Sequence, residues 1–245
     1  MFIPAVQGGH AINSITLDIT SNTSNVNILT LATAAGYSAG SDTTAIIVNV
    51  ASGVNITATS GNPAMRTGAL NAASDLTINL ASSATICGVD GASTTSAGAA
   101  GGAGGDAILF EITSGTGTYS VVNNGTHVGG GSGGGGGGGS GGSAGARLTA
   151  SYDGKGGHSC VAPNAYGSAG SQGSHGSAGA SCRAQAGSAG GTGSSGGYPS
   201  NPCGISVTAG SGGAGGAGGA AGKAVNKGGL TVTTSGSGTY YGATS

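Results

Sequence analysis

The chain has 245 residues, of which 58 are glycine, only 5% are charged and none is tryptophan, and its formal net charge at pH 7 is −1. Six basic residues (Arg66, Arg147, Lys155, Arg183, Lys223, Lys227) form no stripe able to neutralise a row of phosphates, which excludes nucleic-acid binding as the expected function. No uninterrupted apolar run reaches the roughly 20 residues of a membrane span, and Met1-Phe2-Ile3-Pro4 lacks the charged and apolar regions of a signal peptide. A soluble chain without membrane insertion and without export by the usual route is expected.

As far as about residue 90 the chain reads as short strands. Apolar and polar residues nearly alternate over 12–19, 25–31, 45–50, 54–58 and 76–80, with β-branched side chains between Gly, Asn, Ser and Asp turns. No useful helical periodicity appears. These segments predict a small β-module over residues 1–90 with a modest core.

Glycine then takes over, with nine before residue 98 and the other 49 in the last 148 residues. A first tract at 98–105 leads into a strand at 106–112, and another strand follows at 119–122. Asn124-Gly125 carries a hairpin-type turn signal. The longest tract spans 129–145 and contains seven consecutive glycines at 133–139. Beyond it, glycine recurs at every third position at Gly167, Gly170, Gly173, Gly176 and Gly179, at Gly187 to Gly196, and at Gly210, Gly213, Gly216, Gly219 and Gly222. The chain closes with a strand at 230–233 and the pair Tyr240-Tyr241.

A period of three is neither the 3.6 of an α-helix nor the 2.0 of a strand. It is the period of the polyproline-II helix, which has no internal hydrogen bonds and must find its backbone partners in other segments. Glycine on every third position bares one face for such an approach. Collagen is excluded because five prolines cannot fill the other two positions of its triplets. A flexible linker is disfavoured in a chain so poor in charge. The fold class expected is mostly β and irregular with little or no α-helix: a β-module over 1–90, then a bundle of glycine-rich polyproline-II-type helices over 91–245 with long variable loops.

The chemistry-bearing residues are sparse. No His/Cys spacing matches a zinc site, and His10, His127, His158 and His175 are dispersed, so neither metal nor cofactor is expected. Asp153 and His158 share one insert, but no set of nucleophile, base and orienting group is recognisable. One Glu and six Asp make no convincing glycosidase pair. No catalytic residue is assigned. Cys160, Cys182 and Cys203 lie in inserts between glycine tracts, where one loop disulfide is expected without a readable connectivity, four free thiols being the alternative. The inserts at 146–166, 180–186 and 198–207 carry aromatic and charged side chains that the tracts lack. That is the pattern of a rigid scaffold presenting loops.

The strand at Leu76–Leu80 ahead of a glycine tract, Asn124-Gly125-Thr126 entering 129–139, and the tract at 210–225 closing in a strand and Tyr241-Gly242 together resemble the tip adhesins of T-even-like phage long tail fibres. The resemblance covers roughly residues 76–245; residues 1–75 carry no tryptophan-rich attachment sequence. It implies a sandwich of polyglycine-II helices whose loops, the inserts at 146–166, 171–175, 180–186 and 198–207, bind an outer-membrane protein of a Gram-negative host. It also implies a virion component at the distal tip of the fibre, made in the host cytoplasm, monomeric per fibre and joined to a trimeric tail-fibre tip through its N-terminal module. On that basis Tyr152, Tyr166 and Tyr198 are the anchor candidates, since aromatic residues dominate interface hot spots. Asp153, Lys155 and Arg183 would supply orientation and partner choice, and Arg147, His158, Gln185 and Asn201 are further receptor-binding candidates in the loops. The alternative weighed is an ice-binding protein, since a polyglycine-II bundle with Ala and Ser at its other positions can also present a flat face to ice.

Overall fold

A computed structural model describes residues 14–39, 43–59, 61–141, 171–174, 176–195 and 210–245. It divides into two compact units, one of residues 1–89, 106–130 and 223–245 and the other of 90–105 and 131–222. The β-unit therefore takes in two later segments as well as the N-terminal stretch, whereas the composition of the sequence draws a single boundary at 90.

In the β-unit the chain winds through three sheets in turn. The first pass is β1 (Ser14–Ile19), β2 (Thr23–Ser24) and β3 (Val26–Asn27), followed by the short helix α1 (Ile28–Ala34). Next come β4 (Ala45–Val50), β5 (Asn55–Thr57) and β6 (Met65–Arg66), then β7 (Asp75–Leu80), β8 (Thr85–Cys87) and β9 (Ile108–Leu109). A fourth pass comprises β10 (Tyr119–Asn123), β11 (His127–Gly129) and β12 (Val225–Asn226), and β13 (Val232–Ser235) and β14 (Thr239–Tyr241) begin a fifth. The sheets run β1-β4-β7-β10-β13, β2-β5-β8-β11-β14 and β3-β6-β9-β12, and all the pairings are parallel. This is a parallel β-solenoid, in which each coil lends one strand to each sheet.

Alternation in the strands becomes stacking between coils. Leu17, Val48, Ile78 and Val121 stand in register as one inward column, and Ile46, Leu76, Tyr119 and Val232 as another. Val48, Leu76, Ile78 and Val121 are completely buried, each such side chain contributing roughly 1.5–3 kcal/mol. A third column of Ile19, Val50 and Leu80 ends on buried Asn123. Its amide donates to Thr239 O at 3.0 Å and its Oδ1 accepts from Gly125 N at 3.0 Å, so no polar atom is stranded. Outward, Asn79 donates to Asn49 and Asn49 to Asp18, a ladder of 3.1 and 2.9 Å.

Two local expectations are corrected. Residues 28–31, the second half of the segment 25–31 read as strand, belong to α1, because the Asn27 side chain accepts from Thr30 N at 3.3 Å and caps the helix. Asn124-Gly125 makes no hairpin: β10 and β11 belong to different sheets, so the turn is a corner of the coil.

The second unit is built from extended tracts without helix or strand assignment, held by backbone bonds between tracts. Among the described residues the 131–140 tract lies at its centre, with residues 131–139 all buried. Its carbonyls accept in strict rotation. Those of 131, 134, 137 and 140 take the amides of Gly222, Gly219, Gly216 and Gly213, those of 132, 135 and 138 take Gly91, Thr94 and Gly98, and those of 133, 136 and 139 take Gly179, Gly176 and Gly173. The distances run from 2.7 to 3.1 Å. Three residues per turn thus point three rows of carbonyls at three neighbours. The amides alternate between them: Gly133, Gly136 and Gly139 donate to Gln185, Ser188 and Gly191, and Gly131, Gly134 and Gly137 to Gly105, Gly102 and Ala99.

The seven consecutive glycines follow from this position. A Cβ on any of residues 133–139 would strike backbone, successively of the 210–222, 90–96 and 171–180 tracts. Outer tracts need bare positions only where they touch. In 210–222, Gly213, Gly216 and Gly219 donate to the centre, Gly212, Gly215 and Gly218 abut the 187–193 tract, and Ala214, Ala217 and Ala220 are exposed. Gly173, Gly176 and Gly179 likewise donate to the centre and press on 185–191. Gly210 opens its tract, and Gly167 and Gly170 lie outside the described residues.

Candidate binding site

Tract direction decides which connections share an end of the bundle. The 131–140 and 185–195 tracts run the same way, since Gly133, Gly136 and Gly139 donate to Gln185, Ser188 and Gly191 in ascending order. The 171–180 and 210–222 tracts run against them, because their amides meet the central carbonyls in descending order. The described stretches therefore end at 141 and 195 and resume at 171 and 210, all at the end marked by Gly139, Gly173, Gly191 and Gly213. The turn from Ser96 to Gly98 lies at that end too, Gly98 donating to Gly138 O at 2.8 Å. The connections that start there, 142–170 and 196–209, contain Arg147, Tyr152, Asp153, Lys155, His158, Tyr166, Tyr198 and Asn201. All eight residues lie outside the described residues.

Arg183 and Gln185 belong to the opposite end. The 171–180 and 185–195 tracts are joined there by a tight turn at 181–184 in which Cys182 and Ala184 have left-handed φ of 55° and 47°. The Arg183 amide donates to Ala180 O at 3.3 Å, and its side chain is exposed. Gln185 is used by the fold itself: its Oε1 accepts from Ala180 N at 3.0 Å, its amide donates to Ser132 Oγ at 3.3 Å and its carbonyl accepts from Gly133 at 2.9 Å. The structure thus separates these two residues from the ends of the long connections. Ser171–Ser174, which sequence places in an insert, continue a tract, with Ser171 and Ser194 hydroxyls 3.0 Å apart.

Cys182, in the turn, and Cys87, at the end of β8, are both disulfide-bonded, so the bonded cysteines are not confined to the inserts. Cys160 and Cys203 lie outside the described residues. His127 Nε2 approaches Cys87 Sγ at 3.7 Å and its ring meets that of Tyr241 edge-on at 5.6 Å.

Sequence reasoning missed the 90–96 tract, which holds one glycine yet runs beside the centre as an extended helix. A signal was present in the three-residue spacing of Asp90, Ser93 and Ser96.

A β-solenoid and a side-chain-poor bundle of backbone-bonded tracts define a β-rich scaffold protein. Residues 14–245 match the family described as phage tail fibre adhesin Gp38, and the chain belongs to that family. Among solved structures it is similar to a chain of the gp37-gp38 adhesin tip complex of the bacteriophage S16 long tail fibre, at 21% identity and a TM-score of 0.42, covering 94% of this chain and 82% of that one. A comparison with curated protein sequences returns no match.

Proposed function

We propose that this tail fibre adhesin binds a protein receptor in the outer membrane of a Gram-negative host through the connections 142–170 and 196–209. The observation that carries the reading is the reversal of tract direction, which starts both connections from one end of a backbone-bonded bundle. Polyglycine offers almost no side chains for recognition, so specificity has to reside in the connections. Tyr152, Tyr166 and Tyr198 act as anchors, and Arg147, Asp153, Lys155, His158 and Asn201 set orientation and partner choice. The adhesin sits at the distal tip of the virion's fibre, one copy per tip, with its N-terminal β-coils docked to the end of a trimeric fibre, and it is made in the host cytoplasm. The family assignment lends no support to ice binding.

The test is binding of the labelled protein to a panel of Gram-negative cells beside a Tyr152→Ala/Tyr166→Ala/Tyr198→Ala variant. Saturable binding that the triple variant loses while its melting stays unchanged supports the proposal. Equal binding by both proteins refutes the anchor assignment, and binding to no strain refutes receptor recognition.

A further inference from the structure

A polyproline-II helix has three residues per turn, each with one N–H and one C=O, so a fully surrounded one presents six rows of backbone groups to six neighbours. Around the 131–140 tract, the described residues supply five. Carbonyl rows face the 90–96, 171–180 and 210–222 tracts, and amide rows face 98–105 and 185–195. These neighbours are joined to one another in the order 90–96, 98–105, 210–222, 185–195 and 171–180, through Gly102 to Ala92, Gly101 to Ala217, Gly187 to Gly219 and Ser188 to Ser177. The place left lies between 171–180 and 90–96, where Gln172 Nε2 reaches Thr95 O at 3.4 Å. The row belonging to that place is the amides of Ser132, Gly135 and Gly138.

Side chains enter it. Asp90 Oδ1 accepts from Ser132 N at 2.8 Å and Ser93 Oγ accepts from Gly135 N at 2.9 Å. We infer that Asp90 and Ser93 take, at the Ser132 and Gly135 amides, the part that the carbonyls of a sixth neighbouring helix would play, so that side chains and not backbone serve this row of the central tract. Their spacing matches the three-residue repeat of the amides they serve, and Ser96 occupies the next position in it. The 90–96 tract thereby fills two roles, giving backbone amides to one row and side-chain acceptors to the adjoining one. That is why it can dispense with the glycine repeat: its side chains are the contact. The Ser132 and Gly135 amides are thereby already engaged, and a further glycine helix would have to displace these two side chains to pair with them.

Amide hydrogen exchange followed residue by residue on the full chain tests this. In Ser93→Ala the Gly135 amide is expected to exchange at least tenfold faster, and in Asp90→Ala the Ser132 amide likewise. Gly134 and Gly136, which donate to Gly102 and Ser188, should keep their protection. Ser93→Thr and Asp90→Asn, which retain an acceptor oxygen, should restore slow exchange. Unchanged protection at Ser132 and Gly135, an acceleration spread evenly over the tract, or no rescue by the conservative variants overturns the inference. A variant that does not fold is replaced in the test by its conservative counterpart, for which wild-type exchange at the matching amide is required.

Discussion

Gly136→Ala isolates the steric logic of the bundle, because two effects of opposite sign compete in it. Gly136 does not have positive φ, so alanine is conformationally allowed and, in open space, would stabilise by about 0.4–1 kcal/mol through the unfolded chain. In the bundle its Cβ would stand 2.5 Å from Ala217 O and closer still to Gly216 O. Restoring an ordinary C···O contact of about 3.3 Å moves the 210–222 tract outward by roughly 0.8 Å or more. The bonds from Gly213, Gly216, Gly219 and Gly222 to the central carbonyls, now 2.7–2.8 Å, would then stretch past the usual limit of about 3.2 Å. Four bonds at about 0.5–1.5 kcal/mol each amount to roughly 2–6 kcal/mol, which exceeds the unfolded-state gain. A net loss near 2–4 kcal/mol corresponds to a fall in Tm of about 4–16 °C for a chain of this size. Thermal and urea unfolding followed by circular dichroism measure it, with Ala220→Ser on an exposed position as the neutral control. An unchanged or raised midpoint for Gly136→Ala would refute close backbone packing around the central tract.

Ile78→Ala, in a fully buried inward column, should cost about 2–5 kcal/mol in urea unfolding. Asn123→Leu, although it matches the aliphatic column below it, leaves Gly125 N and Thr239 O without their buried partner and should destabilise by about 1–3 kcal/mol in the same assay. Burial raises the phenols of Tyr119 and Tyr240 above the ordinary tyrosine value. Their contribution is complete below pH about 10, where the unfolded chain keeps its phenols neutral, and is lost as pH rises above that. Absorbance at alkaline pH should therefore show these two ionising late and together with unfolding, and removing the hydroxyl in Tyr119→Phe, which donates to Ala72 O at 2.8 Å, should cost about 0.5–1.5 kcal/mol.

What the sequence alone determined is the local chemistry. Alternation at 12–19, 45–50 and 76–80 marks strands because one face of each must be apolar whatever it pairs with, and a glycine on every third position marks polyproline-II tracts because their touching face must be bare. That the seven glycines at 133–139 have neighbours on every side was decided by the tertiary structure. The missed helix at Ile28–Ala34 turned on one cap, Asn27, weighed against a period-two pattern of four or five residues. Which segments become neighbours was decided by tertiary structure. Nothing local in Val225-Asn226 or Tyr240-Tyr241 says that they pair with strands far upstream, Val225 with Ile108 and Tyr240 with Val128. Parallel coils are joined by hydrogen bonds between residues tens of positions apart, so register depends on the stacking of whole coils. The direction of each glycine tract is equally invisible to composition, since an extended helix without internal bonds pairs with either polarity. That direction alone puts residues 141, 171, 195 and 210 at one end of the bundle and Arg183 and Gln185 at the other.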